Sequence, residues 1–323
     1  MTIHSREDLQ SSGATGKHLH LAIGMFDGVH IGHQSVLRQA VEAASREEHH
    51  FSGVLTFDPH PSRILHPEGA TSLLMPLEQR IQKIFAAGID FVFVQTFTRR
   101  YAMQKATEFV PGLQRQFPSL KSIHVGENFR FGAGRSGDVT TLRDTAAEAG
   151  VELHALKRAS LDGMAISSSR IRLALVEGSM EEVTAMLGHP YLVEGEVVAG
   201  KGLGRQLDFP TLNVAWSPEV APRFGVYQVY LRMAHSSALQ PGIANYGLRP
   251  TVEQSSDPRL EVHLLDPTRV PATGDHVQVA LMAFLRPEKT FSSAGELREQ
   301  IRLDVGQVRT RIAGRAVPPD LPF

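Results

Sequence analysis

Gly24-Met25-Phe26-Asp27-Gly28-Val29-His30-Ile31-Gly32-His33 decides how the first half of the chain is read. Before it, Leu19-His20-Leu21-Ala22-Ile23 alternates and ends apolar, as a buried strand does. After it, the run from Ser35 to Ala44 carries apolar residues at helical spacing. The stretch is therefore a strand, a glycine-rich turn and the first turn of a helix. A helix start of this kind presents unpaired backbone N–H groups and the positive end of a dipole, so it favours an anion such as phosphate. His30 and His33 lie three apart and can face the same space, and Gly32 between them leaves room for a close approach to the backbone. Two histidines capping a helix is the plainer alternative. A zinc site is the other, but the chain has no cysteine and no further ligand stands at metal-like spacing.

Outward from this turn, residues 18 to about 160 alternate strand-like and helical runs. Strands are expected at Phe51–Phe57, Phe91–Val94 and Ser122–Val125, with helices at Glu78–Ala87 and about Lys105–Gln116. This order predicts a parallel sheet covered by helices, in which ligands bind beyond the carboxyl ends of the strands. Two polar clusters fall at such ends. One is Asp58-Pro59-His60-Pro61 with Arg63; the other is Gly126 to Asp138, whose four glycines, two arginines, Phe129 and Phe131 read as a loop that bends closely and meets something flat and anionic. Ile166-Ser167-Ser168-Ser169-Arg170-Ile171-Arg172 then opens another helix. Serines there are ordinary caps, but two arginines in a first turn oppose the helix dipole, and an anionic partner would offset that. A short helix from Ser179 follows, with Glu182 as its capping-box partner.

From Tyr191 the periodicity changes to that of strands, at Val193–Val198, Val226–Leu231, Leu260–Leu265 and His276–Leu285, without helices between them. An antiparallel barrel is expected, closed by an amphipathic helix from Ser292 to about Ile312. Gly195 to Gly202 nearly spells a P-loop, but Gly202 stands where a Ser or Thr would hold magnesium. A basic glycine loop still cradles phosphate through its amides. Alternation puts Glu261 on a strand face with His263, opposite Leu260, Val262 and Leu264.

Taken together these segments resemble the bifunctional bacterial riboflavin kinase/FAD synthetases, over about residues 18 to 310 and with six motifs in order. The resemblance implies an α/β parallel-sheet, Rossmann-like nucleotidyltransferase domain over 1–185. It implies an antiparallel β-barrel riboflavin kinase domain with a C-terminal helix over 186–323. In that family His30 and His33 serve adenylyl transfer, with Gly24, Phe26, Gly32, Ser168 and Arg170 at ATP and its phosphates and Asn128 at the flavin. In the barrel the resemblance implies Gly200, Lys201, Gly202, Gly204 and Arg205 at phosphate, Thr211 and Asn213 at Mg2+, Glu261 as catalytic base and Arg286 near flavin. The departures are Leu203 for a basic residue, Asp208 for glycine, Leu212 for alanine, and Pro267–Gly274 where the family commonly has Asp-Leu-Tyr-Gly.

The implied partners are riboflavin, FMN, FAD and ATP. With 33 basic against 34 acidic side chains and a net charge of -1, no global field recruits nucleic acid or an anionic membrane. No cysteine, no apolar signal core at Met1–Asp8 and no long apolar run make a cytoplasmic chain the expectation. Three other readings remain open at this point. They are a kinase with a weak or inactive adenylyltransferase half, a transferase for another phosphate ester, and a non-catalytic flavin or nucleotide binder.

Overall fold

The computed structural model describes residues 1–5, 18–200, 204, 207–234, 236, 238–248 and 258–313. The chain divides into two compact units, Met1–Ser168 and Ser169–Phe323.

The first unit is a six-stranded sheet of β1 (Thr2–Ser5), β2 (His18–Ile23), β3 (His50–Asp58), β4 (Phe91–Thr96), β5 (Leu120–Gly126) and β6 (Glu152–Leu156). The order across it is β1-β4-β3-β2-β5-β6. Strands β2 to β6 are parallel, and β1 adds an antiparallel edge to β4. Neither edge strand is announced by the sequence pattern. β1 is four residues long with no core face, and β6 buries none of its residues fully.

The connections are α1 (Ile31–Ala44), α2 (Pro61–Leu65), α3 (Leu77–Ala86), α4 (Arg99–Ala102), α5 (Phe109–Gln116) and α6 (Val139–Glu148). On one face Ala22, Val54 and Val92 pack against Val36, Leu37 and Ala40 of α1 and Ile81 and Ile84 of α3. On the other Leu21, Ile23, Leu55 and Ile123 meet Phe109, Val110 and Leu113 of α5 and Leu142 of α6. The chain builds outward from β2 to β4 and then returns to place β5 beside β2. The crevice at this reversal lies beyond the carboxyl ends of β2 and β5, and the Gly24–His33 turn and the Gly126–Asp138 loop leave from those two ends.

The second unit contains most of α7 (Ser168–Glu177), all of α8 (Met180–Leu187), the barrel and the last helix. Its strands are β9 (Tyr191–Val198), β10 (Leu212–Val214), β11 (Gly225–Met233), β12 (Gln240–Gly247), β13 (Arg259–Leu264) and β14 (His276–Pro287); a small hairpin, β7 (Ser160–Leu161) with β8 (Met164–Ala165), precedes them in the first unit. They close in the order β10-β13-β12-β11-β14-β9, every pair antiparallel. Helix α9 (Ala294–Ile312) covers the outer face, where Ile301, Val305 and Val308 meet Val226, Ile243 and Leu285. Ion pairs also tie it to two loop residues, Asp208 to Arg298 and Asp266 to Arg309. Both aspartates sit at positive φ, 64° and 49°, a region Asp visits at less cost than most residues. That explains how Asp208 stands in for the family's glycine.

A chain of imidazoles crosses the first sheet on the α1 side. His50 Nδ1 meets His20 Nε2 at 2.9 Å, His20 Nδ1 meets Ser122 Oγ at 2.7 Å, and Ser122 Oγ meets His124 Nε2 at 2.7 Å. His124 stacks on His154 with ring centroids 4.6 Å apart. Burial first, then neighbouring imidazoles, pushes His20 down from 6.5 to about 4 and His124 to about 3, while Glu47 and Glu152 pull weakly upward on His20. Both rings are therefore neutral in the fold and free to protonate in the unfolded chain. Stability is full above pH 6.5 and falls as pH drops from there towards the folded values. Amide hydrogen exchange in β2 and β5 is expected to speed up between pH 7 and pH 5, beyond its intrinsic pH dependence, and about half of that effect should vanish in His124→Gln.

Candidate active sites

The turn after β2 is held in a costly shape. Phe26, Gly28 and Val29 have φ of 52°, 84° and 40°, and a β-branched residue in that region is a genuine outlier. Surrounding groups fix it. The Met25 carbonyl accepts from Thr56 Oγ1 at 3.2 Å and from Arg80 at 2.9 Å. The Asp27 carboxylate takes the Leu74 N–H at 3.0 and 3.1 Å, and the Asp27 carbonyl accepts from Ser168 Oγ at 3.0 Å. Ser168, expected at phosphate, thus braces the turn that carries His30.

Helix α1 starts directly from this turn. His30 is its N-cap, and Nδ1 accepts the His33 N–H at 3.3 Å, which leaves the ring proton on Nε2. The His30 and His33 rings stack at 3.6 Å with an interplanar angle of 14°, and Phe26 stands edge-on to His33 at 5.3 Å. Burial holds His30 down at about 4. Burial, then His30, then Arg80 hold His33 well below 6.5, and its Nδ1 is buried with no hydrogen-bond partner. The pair is neutral. A Cβ at Gly32 would stand 3.2 Å from the His30 ring, so its bareness makes space for the imidazole. A Cβ at Gly24 would likewise press on Phe26, at 3.2 Å.

Across the crevice, Asn128 is exposed just beyond β5. Of the two loop aromatics, Phe131 is in the core and Phe129 is half-buried against it. Phe131 is buried, and it stacks on Phe129 and packs on Phe109 within the core. Arg130 pairs with Asp138 at 3.3 Å, and His60 caps α2 through Ser62. The loop's apolar residues are core that happens to lie in a glycine-rich stretch.

In the second unit, the anion that offsets Arg170 in the first turn of α7 is internal. Glu182 of α8 accepts from Arg170 Nε at 2.9 Å and from its terminal nitrogen at 2.5 Å. Glu182 is therefore not a capping-box partner, and Ser179 makes no side-chain cap.

The barrel supplies an arrangement that only strand pairing creates. Asn213 lies opposite Glu261, Glu261 opposite Asn245, Asn245 opposite Val226, and Val226 opposite Arg286. One row on the outer face therefore runs across five strands from Asn213 to Arg286, with the Glu261 carboxylate flanked by two amides. Leu260, Val262 and Leu264 point inward, as alternation predicts. Asn213 is buried, and among the described residues its Oδ1 has no partner. A Cβ at Gly200 would lie 2.0 Å from Asn213 Nδ2, and one at Gly204 would lie 3.0 Å from Thr211 Oγ1. Both glycines thus lie close against this strand. Lys201, Gly202 and Arg205 lie outside the described residues.

Arg286 ends the row in a bidentate pair with Asp304 of α9, Nε to both carboxylate oxygens at 3.0 Å and the terminal nitrogen at 2.8 Å. Gln300 also donates to Asp304 at 3.0 Å. Glu288 takes the Asn245 amide at 3.2 Å beside Gly247. Sequence reasoning did not single out Arg80 or Asp304 for these places; a lone arginine or aspartate in a helix carries no local signal of its distant partner.

The comparisons divide the chain where its architecture changes. The FAD synthetase family model matches residues 14–170, and the riboflavin kinase family model matches residues 187–312. A bifunctional riboflavin kinase/FMN adenylyltransferase of Escherichia coli K12 is 37% identical over 284 residues, 88% of this chain and 90% of that protein. The chain belongs to the bifunctional riboflavin kinase/FMN adenylyltransferase family. Family members of the same description from Haemophilus influenzae and Listeria monocytogenes are 35% and 32% identical, over 88% and 91% of this chain and 91% and 92% of theirs. A Streptococcus pneumoniae crystal structure described as a macrolide-efflux protein has a TM-score of 0.81 and 26% identity, covering 92% of this chain and 95% of that one. Among the described residues no helix is long and apolar enough to cross a membrane.

In this family member the Arg286–Asp304 pair is buried on both sides, at 14% and 4% side-chain exposure. Asp304→Ala strands a buried guanidinium and is expected to cost about 3–5 kcal/mol of the barrel unit's stability. Urea unfolding followed by the fluorescence of Trp216, whose ring lies among Tyr191 and Tyr246, measures it.

Proposed function

We propose that the barrel phosphorylates riboflavin to FMN with ATP and that the parallel-sheet unit adenylylates FMN to FAD with a second ATP, releasing pyrophosphate. The proposed division of labour falls at residues 185/186. The observation that carries the reading is that each unit keeps at its candidate site a buried polar atom without a partner among the described residues, His33 Nδ1 in one and Asn213 Oδ1 in the other. A buried polar group left unpaired costs about 1–3 kcal/mol, and a ligand that pairs with it recovers that cost. A binder without catalysis would have no use for a carboxylate between two amides.

In the kinase step Glu261 takes the proton of the ribityl primary hydroxyl. That oxygen bonds to the γ-phosphorus as the bond to the β-phosphate oxygen breaks, and ADP leaves. Asn213 and Asn245 stand opposite Glu261 on the two neighbouring strands. The glycine loop, with Gly200, Lys201, Gly202, Gly204 and Arg205, offers its amides and cations to the phosphates. Thr211 and Asn213 suit Mg2+, since a hydroxyl and an unpaired amide oxygen are the hard donors it accepts alongside phosphate and water. Bound there, the ion would neutralise charge on the β- and γ-phosphates. Arg286 acts through its place in the row and its grip on α9.

In the transfer step an FMN phosphate oxygen attacks the α-phosphorus and the bond to pyrophosphate breaks. No side-chain nucleophile is needed, only alignment and charge dispersal. His30 donates from Nε2, His33 offers its unpaired edge, and the amides opening α1 supply positive potential without a full charge. Gly24, Phe26 and Gly32 shape that opening, Ser168 braces it, and Asn128 meets the flavin end. A chain without cysteine and with two ATP-consuming steps belongs in a reducing, ATP-rich compartment, the cytoplasm.

The two sites are tested in one chain by separating the flavins after incubation with MgATP. Glu261→Gln is expected to cut FMN formation from riboflavin by about 100-fold or more while FAD formation from supplied FMN persists. His33→Ala is expected to do the reverse, with a loss of about 100-fold. Either variant losing both activities equally, or neither, would remove its residue from the assigned role.

A further inference from the structure

Arg80 of α3 is 1% exposed, which is rare for an arginine, and its Nε is buried without a partner among the described residues. One terminal nitrogen donates to the Met25 carbonyl at 2.9 Å and the other to the Phe57 carbonyl at 3.4 Å. Those carbonyls belong to the turn after β2 and to the end of β3, two neighbouring strands at the edge of the adenylyl-transfer crevice. The charge lies in the field of Asp27, Asp58 and Glu78, and it acts in turn on His33.

Packing alone does not account for this residue. A methionine of similar reach would fill the space without the cost of taking a cation out of water. What the guanidinium adds is a rigid planar fork that holds two backbone oxygens at a fixed separation. One of them, Met25 O, immediately precedes the left-handed Phe26, whose ring abuts His33. From the same turn the chain enters α1 at His30. Thr56 also donates to Met25 O, so the carbonyl is held from two sides.

We propose that Arg80 is a positioning residue for adenylyl transfer: by clamping Met25 O to the end of β3 it fixes the strained turn that aims His30, His33 and the first amides of α1 at the reacting phosphorus. The inference rests on the adenylyltransferase reading of this unit. Phosphorylation of riboflavin by the same molecules serves as the internal control, because Arg80 lies in the other unit.

The test uses Arg80→Lys and Arg80→Met in the full chain. Misalignment of the reacting groups is penalised in kcat rather than in KM. Arg80→Met is therefore expected to lower kcat for FAD formation by about 100-fold with KM for ATP changed by less than about threefold. Lysine keeps the charge and one donor but not the fork, so Arg80→Lys should recover about tenfold of that loss. Riboflavin phosphorylation should stay within about twofold of the parent in both, and amide protection in β2 and β3 should be retained. If Arg80→Met does not fold, Arg80→Lys decides alone, with a kcat deficit of about tenfold expected. The proposal is overturned if FAD formation is unchanged, if KM rises with kcat intact, or if the kcat loss merely follows lost amide protection. His33→Ala run alongside separates the two readings: should that variant retain FAD formation, the failure belongs to the site assignment rather than to Arg80.

Discussion

A turn that no peptide would choose holds the first site together. Phe26 and Val29 both sit at positive φ, at a cost of order 1–3 kcal/mol each. The turn persists because its polar groups are satisfied from four separate places, by Thr56 of β3, Arg80 of α3, Leu74 before α3 and Ser168 at the start of α7. Each donor arrives from a different part of the first unit, so this shape exists only once the sheet is complete. The return is a helix start with two neutral, stacked imidazoles and no carboxylate in its first turn. Neutrality matters here. A charged pair at this distance would repel, whereas neutral rings donate hydrogen bonds and leave the positive potential to the helix.

The second site is built on another principle. In an antiparallel barrel, residues far apart in the chain become neighbours across hydrogen-bonded strands, and their spacing is fixed by the pleat. Asn213, Glu261 and Asn245 are brought side by side in this way, and the same row reaches Arg286. Helix α9 then secures the frame through Asp304, Arg298 and Arg309, so that the arginine at the end of the row joins barrel to helix. The two units therefore solve different positioning problems. One stores strain in a loop and the other uses the rigidity of a closed sheet.

Local pattern made much of this legible. The strand–turn–helix around His30 and His33, the change of periodicity near Tyr191, the inward and outward faces of β13 and the terminal helix all follow from spacing within a few residues. The motifs also carried the family, which both family models and the relatives bear out. Short strands were less visible. β1, β10 and β12 bear weak or glycine-broken alternation and become strands only because a neighbour pairs with them.

What the sequence by itself determined is thus which chemical groups are present, the element type of each long segment and the kinship of the whole. The partners of those groups were decided only by tertiary structure. Glu182 takes Arg170 instead of capping α8, Phe131 enters the core instead of facing a ligand, and Gly32 leaves space for the His30 ring. Each of these is a contact between side chains whose separation is set by packing or pairing, and nothing in the spacing along one segment encodes which distant atom will fill the space beside it.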